Sequence, residues 1–356
     1  MRGSNNPRQG LSRAHCRSLL NMLALLLAAA LLITGCKKAN FMVDNDNGNS
    51  SENKNSTSQS ENSNDPNVIK GKADEQGKAT EPDKGNFTVQ YSNVQDPQFA
   101  QINERFRQQR LLESIADELN ATIAIPESVA ITFRECGQPN AFWDPKTRSI
   151  NMCYELMAQM YEDFRPIAKN DQDLNDKVTG ALTFAFIHEL GHCLIDVLHL
   201  PSTGREEDAV DQLSTFVLLA LNGEDGERMA LSGALSWGIQ YDKIAKSGKT
   251  AGELNMLWAD EHSMDGQRFY NILCWIFGHN PEKYMGMVND PLPEQRAVRC
   301  PQEYTKLATA WLTLLKPYLK DGGAKASAHT QPMTGNMGNG GAPRQPTAPE
   351  GGHSGH

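Results

Sequence analysis

Two histidines, His188 and His192, stand four residues apart in "FAFIHELGHCLIDVL", with Glu189 between them. On a helix that spacing puts both imidazoles on one face, where they can grip a single ion. Glu189 is offset by about 100 degrees around the axis and comes to lie beside that ion instead of on it. Neutral imidazole suits Zn2+, a bound ion lowers the pKa of water, and a neighbouring carboxylate can take the proton. The spacing HExxH therefore points to metal-assisted hydrolysis with Glu189 as general base. The plainer reading is a charged face on an ordinary helix, and it fits poorly with flanks as apolar as "FAFI" and "CLIDVL".

A third ligand is needed, and an acidic cluster follows the break at "PSTG". Glu206, Glu207 and Asp208 open a helix that runs on through "AVDQLSTFVLLAL". Only Glu207 has an acidic residue four positions later, Asp211, so one carboxylate would bind the ion while the other accepts the N–H of a ligand histidine and fixes its tautomer. Glu206 is the alternate ligand. Acidic residues are also favoured in any first helical turn by the helix dipole, but the place of this cluster, 15 residues after His192, favours the ligand reading.

The elements that must hold these residues are readable in outline. An apolar face made by Phe99, Ile102, Phe106, Leu111, Leu112 and Ile115 predicts a helix from about Pro97 to Leu119. "SVAITFREC" and "NAFWDPKTRSINMCYEL", the latter with a turn around Pro145, read as two strands joined by a loop. "YELMAQMYEDF" reads as a helix, and the polar "KNDQDLND" can cap the helix that carries the histidines, running to about Leu198. Of the chain's 7 cysteines, Cys16 falls in the N-terminal leader and Cys36 stands just after it, where lipid would be attached. Local pairing joins Cys136 to Cys153 and Cys274 to Cys300, leaving Cys193 as a small buried hydrophobe. Such bridges suit an oxidising compartment.

The chain's ends place the body. Arg2, Arg8, Arg13 and Arg17 precede an apolar run from Leu19 to Ile33, which predicts an export signal over residues 1–35. "ITGC" resembles the lipobox of bacterial lipoproteins, in which Cys36 carries lipid; Lys37 after it resembles the outer-membrane sorting pattern of diderm lipoproteins. The expected location is the bacterial cell envelope, with membrane attachment through the lipid anchor. Residues 36–86 are polar with almost no bulky apolar residues to bury, as a tether is. Residues 321–356 form a second low-complexity segment containing His329, His353 and His356, and residues 87–320 are left as one domain. The net charge of -9 and the lack of a basic stripe argue against nucleic acid as a partner.

HELGH followed by a helix with E-x-x-x-D resembles the gluzincin branch of the zincin metallopeptidases. Together with "CGQPNAFWDP", "GREEDAVDQ", "DEHSMDGQRFYNILCWIFG" and "RAVRC", it also resembles a family of exported bacterial proteins described only as putative metallopeptidases, over about Gln95 to Leu319. The resemblance implies an α+β, zincin-like fold: a small mixed sheet packed on the active-site helix, with a mainly helical C-terminal half. It implies zinc held by His188, His192 and Glu207, and a peptide or protein substrate. Thermolysin-like sites use a downstream histidine on the oxyanion, a role that falls to His262, with Arg268 second. In zincins an edge strand pairs with extended substrate, which here suggests the segment from Arg148 to Tyr154. The interval from His192 to Glu207 is shorter than in thermolysin-like enzymes, so substrate geometry is not carried over. Two other function classes compete: an envelope binding module with structural zinc, and a zinc amidase acting on cell wall. Structural zinc sites are usually closed by four protein ligands and rich in cysteine, so three ligands with a glutamate at the base position favour catalysis.

Overall fold

The computed structural model describes residues 83–221, 223–248 and 261–320. The expected signal segment, Cys36, the tether up to residue 82 and the tail with its three histidines lie outside the described residues. Residues 83–86, assigned by composition to the tether, lie against the body. The Gly85 N–H donates to the Ile125 carbonyl at 2.9 Å, and Asp83 pairs with Lys320 at 2.6 Å.

The fold is α+β. Strand β1 (Phe87–Val89) leads into helices α1 (Pro97–Gln108) and α2 (Leu111–Thr122). Asp96 caps α1 by accepting from the N–H groups of Gln98 and Phe99, with Pro97 just inside the helix, where its missing N–H is harmless. The single helix expected from Pro97 to Leu119 is therefore two. The chain breaks at Arg110, whose φ of 52° is left-handed, and the apolar face continues across the break because both halves rest on the same core.

Strands β2 (Val129–Arg134), β3 (Ala141–Asp144) and β4 (Ser149–Cys153) complete a four-stranded mixed sheet of order β1-β2-β4-β3. β1, β2 and β4 run parallel, while β3 pairs antiparallel with β4. The stretch "NAFWDPKTRSINMC", expected as one strand with a turn, is a hairpin. Asp144 closes its turn by accepting from the Lys146 N–H at 2.9 Å and the Thr147 hydroxyl at 2.8 Å. All five residues of β4 are buried, as a strand flanked on both sides must be. The expectation that residues 148–154 offer a free edge is corrected accordingly: that edge belongs to β3.

Helix α3 (Tyr154–Phe164) follows β4 directly, and then α4 (Asp171–Val197), capped by Asn170. α4 is apolar nearly all round and long enough to cross a membrane, but 78% of its most apolar window is buried inside the body. It is the core helix, packed between the sheet and helices α5 (Glu206–Leu221) and α6 (Gly223–Lys246). Helices α7 (Asp265–His279), the short α8 (Glu294–Ala297) and α9 (Cys300–Leu315) finish the helical half.

The approach of α5 to α4 depends on Gly191. A Cβ there would lie 2.7 Å from Val210 Cγ1, so only glycine lets the two helices meet at this distance. Cys136 is bridged to Cys153 and Cys274 to Cys300, as expected. Cys193 is unbridged and buried.

Candidate metal centre

Two helices build the centre. α4 presents His188 and His192 one turn apart, with Nε2 atoms 3.3 Å from each other. α5 begins beside them because Gly191 admits it, and its first turn delivers Glu207. One Glu207 oxygen lies 3.0 Å from His188 Nε2 and the other 3.3 Å from His192 Nε2. A tetrahedral zinc with bonds of about 2.0–2.1 Å has ligand-to-ligand edges of about 3.3–3.4 Å. The donor set, two imidazoles and a carboxylate at those separations, fits such an ion, and these atoms lie within 4.8 Å of one another.

The outer nitrogens settle which ring atoms point inward. The Nδ1–H of His188 donates to Asp211 Oδ1 at 2.9 Å, and that of His192 to Glu206 Oε1 at 2.7 Å. Each carboxylate holds the proton on Nδ1 and turns the Nε2 lone pair toward the shared centre. Asp211 thus stands where the sequence placed it, four residues after Glu207. Glu206, the alternate ligand, is on the far side of His192, against Nδ1; its side chain is 45% exposed against 12% for Glu207.

Electrostatics around this cluster are strongly coupled. Burial pulls the His188 imidazole down, but Asp211 and Glu207 outweigh it and its pKa ends above the ordinary value. His192 follows the same pattern, burial opposed by Glu207 and Glu206, and rises to about 9. Burial would raise Glu207, yet hydrogen bonds to the two imidazoles hold it well below the usual carboxylate range. Protons and a cation therefore compete for these imidazoles, as expected of a metal site.

Glu189 is buried, and burial raises its pKa despite the two imidazoles beside it. That is the direction a general base needs, since the catalytic pKa should lie near the working pH. One of its oxygens accepts the backbone N–H of Trp143 at 2.9 Å, so the edge strand β3 orients this carboxylate. The Trp143 indole N–H in turn donates to Asp196 at 3.0 Å, on the last turn of α4. Sequence reading missed Trp143, because a main-chain donor leaves no mark on residue type.

His262 lies at the rim with a 45% exposed side chain, its Nε2 3.2 Å from Glu207 Oε2. Its segment is fastened to the start of α5: Arg205 donates to the His262 carbonyl at 3.1 Å and Ser263 to Asp208 at 2.6 Å. Arg268, second choice for the oxyanion role, is 3% exposed and bonded to Asp211. A buried guanidinium spent on a carboxylate cannot meet a substrate, so that expectation is corrected. An open cleft runs over the cluster, walled by β3 residues Ala141, Phe142 and Trp143 on one side and by Glu206, Glu261 and His262 on the other.

A family model for DUF4344, described as "Putative metallopeptidase", matches residues 91–315. No curated protein and no solved structure matches the chain.

Proposed function

The chain belongs to the DUF4344 family of putative metallopeptidases, and on that premise we propose a zinc-dependent peptidase that hydrolyses peptide bonds at the cell envelope. One observation carries the reading: two imidazole nitrogens and a glutamate converge at ligand spacing, with a buried, oriented carboxylate beside them. The cleft above the cluster also favours catalysis over the binding module, whose structural zinc would be closed off by protein.

His188, His192 and Glu207 would hold the ion. When bound, zinc supplies Lewis acidity, polarising a carbonyl and lowering the pKa of water. Glu189 takes the proton of the attacking water and returns it to the leaving amine, held in place by the Trp143 N–H. His262 stands at the rim as donor to the oxyanion. Substrate is proposed to lie extended along β3. Antiparallel pairing alternates, and Asn140 already bonds across to Cys153, so Ala141 turns its N–H and carbonyl to the side away from β4, as Trp143 does its carbonyl, the Trp143 N–H being taken by Glu189.

The test of ligand choice compares neighbours. Glu207→Ala should lose stoichiometric zinc, measured by elemental analysis, whereas Glu206→Ala should retain it with affinity lowered about 10–100-fold, as for other carboxylates that orient a ligand histidine. The reverse ranking would move the ligand by one residue.

Anchoring through Cys36 is the remaining part of the proposal, supported by the lipobox resemblance of "ITGC". Cys36→Ser should abolish incorporation of a fatty-acid analogue and release the protein from the membrane fraction. Label retained in that variant would rule out the lipoprotein reading.

A further inference from the structure

We propose that Arg268 is a positioning residue for the metal: it fixes the carboxylate that fixes a ligand histidine. The inference rests on the proposed function, since it takes His188 to be a ligand.

Arg268 reaches from α7 into the space between α4 and α5 and grips Asp211 at two points. Its Nε donates to Oδ2 at 2.7 Å and its Nη2 to Oδ1 at 2.7 Å. A fork of this kind sets the plane of a carboxylate, which a single bond would leave free to turn. Oδ1 is also the atom that accepts the Nδ1–H of His188, so the plane of Asp211 determines where that imidazole points.

The tautomer is set by the carboxylate that Arg268 holds. Arg268 Nη2, which can only donate, lies 3.4 Å from His188 Nδ1 and taken alone would favour a bare Nδ1. Asp211 Oδ1, kept in place by the fork, is nearer at 2.9 Å, so the proton stays on Nδ1 and the Nε2 lone pair remains for the ion. Trp237, on α6, packs its ring against the guanidinium, the centroid 3.5 Å from Cζ, and so helps to hold it in place.

Four helices thus converge on one imidazole: α6 through Trp237, α7 through Arg268, α5 through Asp211, and α4 with His188 itself. His192 has a weaker arrangement, since its Glu206 partner is 45% exposed. A buried ion pair is by itself weak evidence of a contribution to stability. What singles this one out is that its shared oxygen is the one His188 uses.

The experiment measures Zn2+ affinity by competition with a chromophoric chelator and records the visible spectrum of Co2+-loaded protein. The variants are Arg268→Met, Arg268→Lys, Asp211→Asn and the double variant Arg268→Met/Asp211→Asn. Arg268→Met should bind Zn2+ about 10–100-fold more weakly and shift the Co2+ spectrum, the scale expected of an outer partner of a metal ligand. Arg268→Lys keeps the buried charge but loses the fork, and should recover only part of the affinity. The double variant should bind no more weakly than Asp211→Asn alone, because Arg268 acts through that carboxylate. Additive losses in the double variant, or wild-type affinity and spectrum in Arg268→Met, would overturn the proposal. Should Arg268→Met not fold, wild-type affinity and spectrum in Arg268→Lys overturn it equally. Failure of the wild-type protein to take up metal would instead bring down the parent reading, and this one with it.

Discussion

Alanine in place of either His188 or His192 should leave the purified protein without zinc, where the wild type carries about one equivalent. A lost ligand removes one of three protein donors, so the effect should exceed the about 10–100-fold change expected from an outer partner. The fold should survive in His188→Ala, because Asp211 keeps both of its bonds to Arg268 when the imidazole is gone. His192→Ala leaves Glu206 at the surface, where it can hydrate. Circular dichroism and elemental analysis on the same samples separate loss of metal from loss of structure. Undiminished zinc in both variants would remove the central claim.

Glu189→Gln should lower kcat by about 100-fold or more, the scale of general base catalysis, with metal content unchanged. A hundredfold loss corresponds to about 2.7 kcal/mol of transition-state stabilisation. Glutamine can still accept the Trp143 N–H through its carbonyl oxygen, so the side chain keeps its place while losing its ability to take a proton at neutral pH. Turnover of a broad peptide library by wild type and variant reads the difference. If wild-type protein holds zinc and cleaves nothing in that library, while the variant binds partners equally well, the binding-module reading replaces the enzyme.

The parts of the centre that were legible in sequence are those whose geometry is local. His188, Glu189 and His192 share one helix, so their relative placement follows from helical pitch alone. Glu207 and Asp211 are likewise four residues apart on one helix. The two disulfides join cysteines only 17 and 26 residues apart, so proximity along the chain was a fair guide.

What was not legible is set by longer paths. Arg268 finds Asp211 57 residues away, and only the packing of α7 against α5 brings them together. Trp143 contributes a main-chain N–H, which any residue but proline could supply. Strand order is also non-local: "SINMC" reads equally well as an edge or a centre strand until β3 folds back beside it. The break at Arg110 escaped because arginine seldom adopts positive φ and no turn residue marks the spot.

Gly191 sets the gap between the two helices that carry the proposed ligands, and the consequence is a tolerance narrower than that of the fold. A methyl group at this position would have to move from 2.7 Å to ordinary contact with Val210, roughly 1 Å. Glu207 lies one turn before Val210 on the same rigid helix and would travel with it, whereas metal–ligand distances hold to within about 0.2 Å. The molecule could absorb such a shift as a slightly looser core and still be folded, while its three donors no longer met. In drifting or engineered sequences, positions 191 and 210 should therefore change as a pair, a larger residue at one requiring a smaller residue at the other.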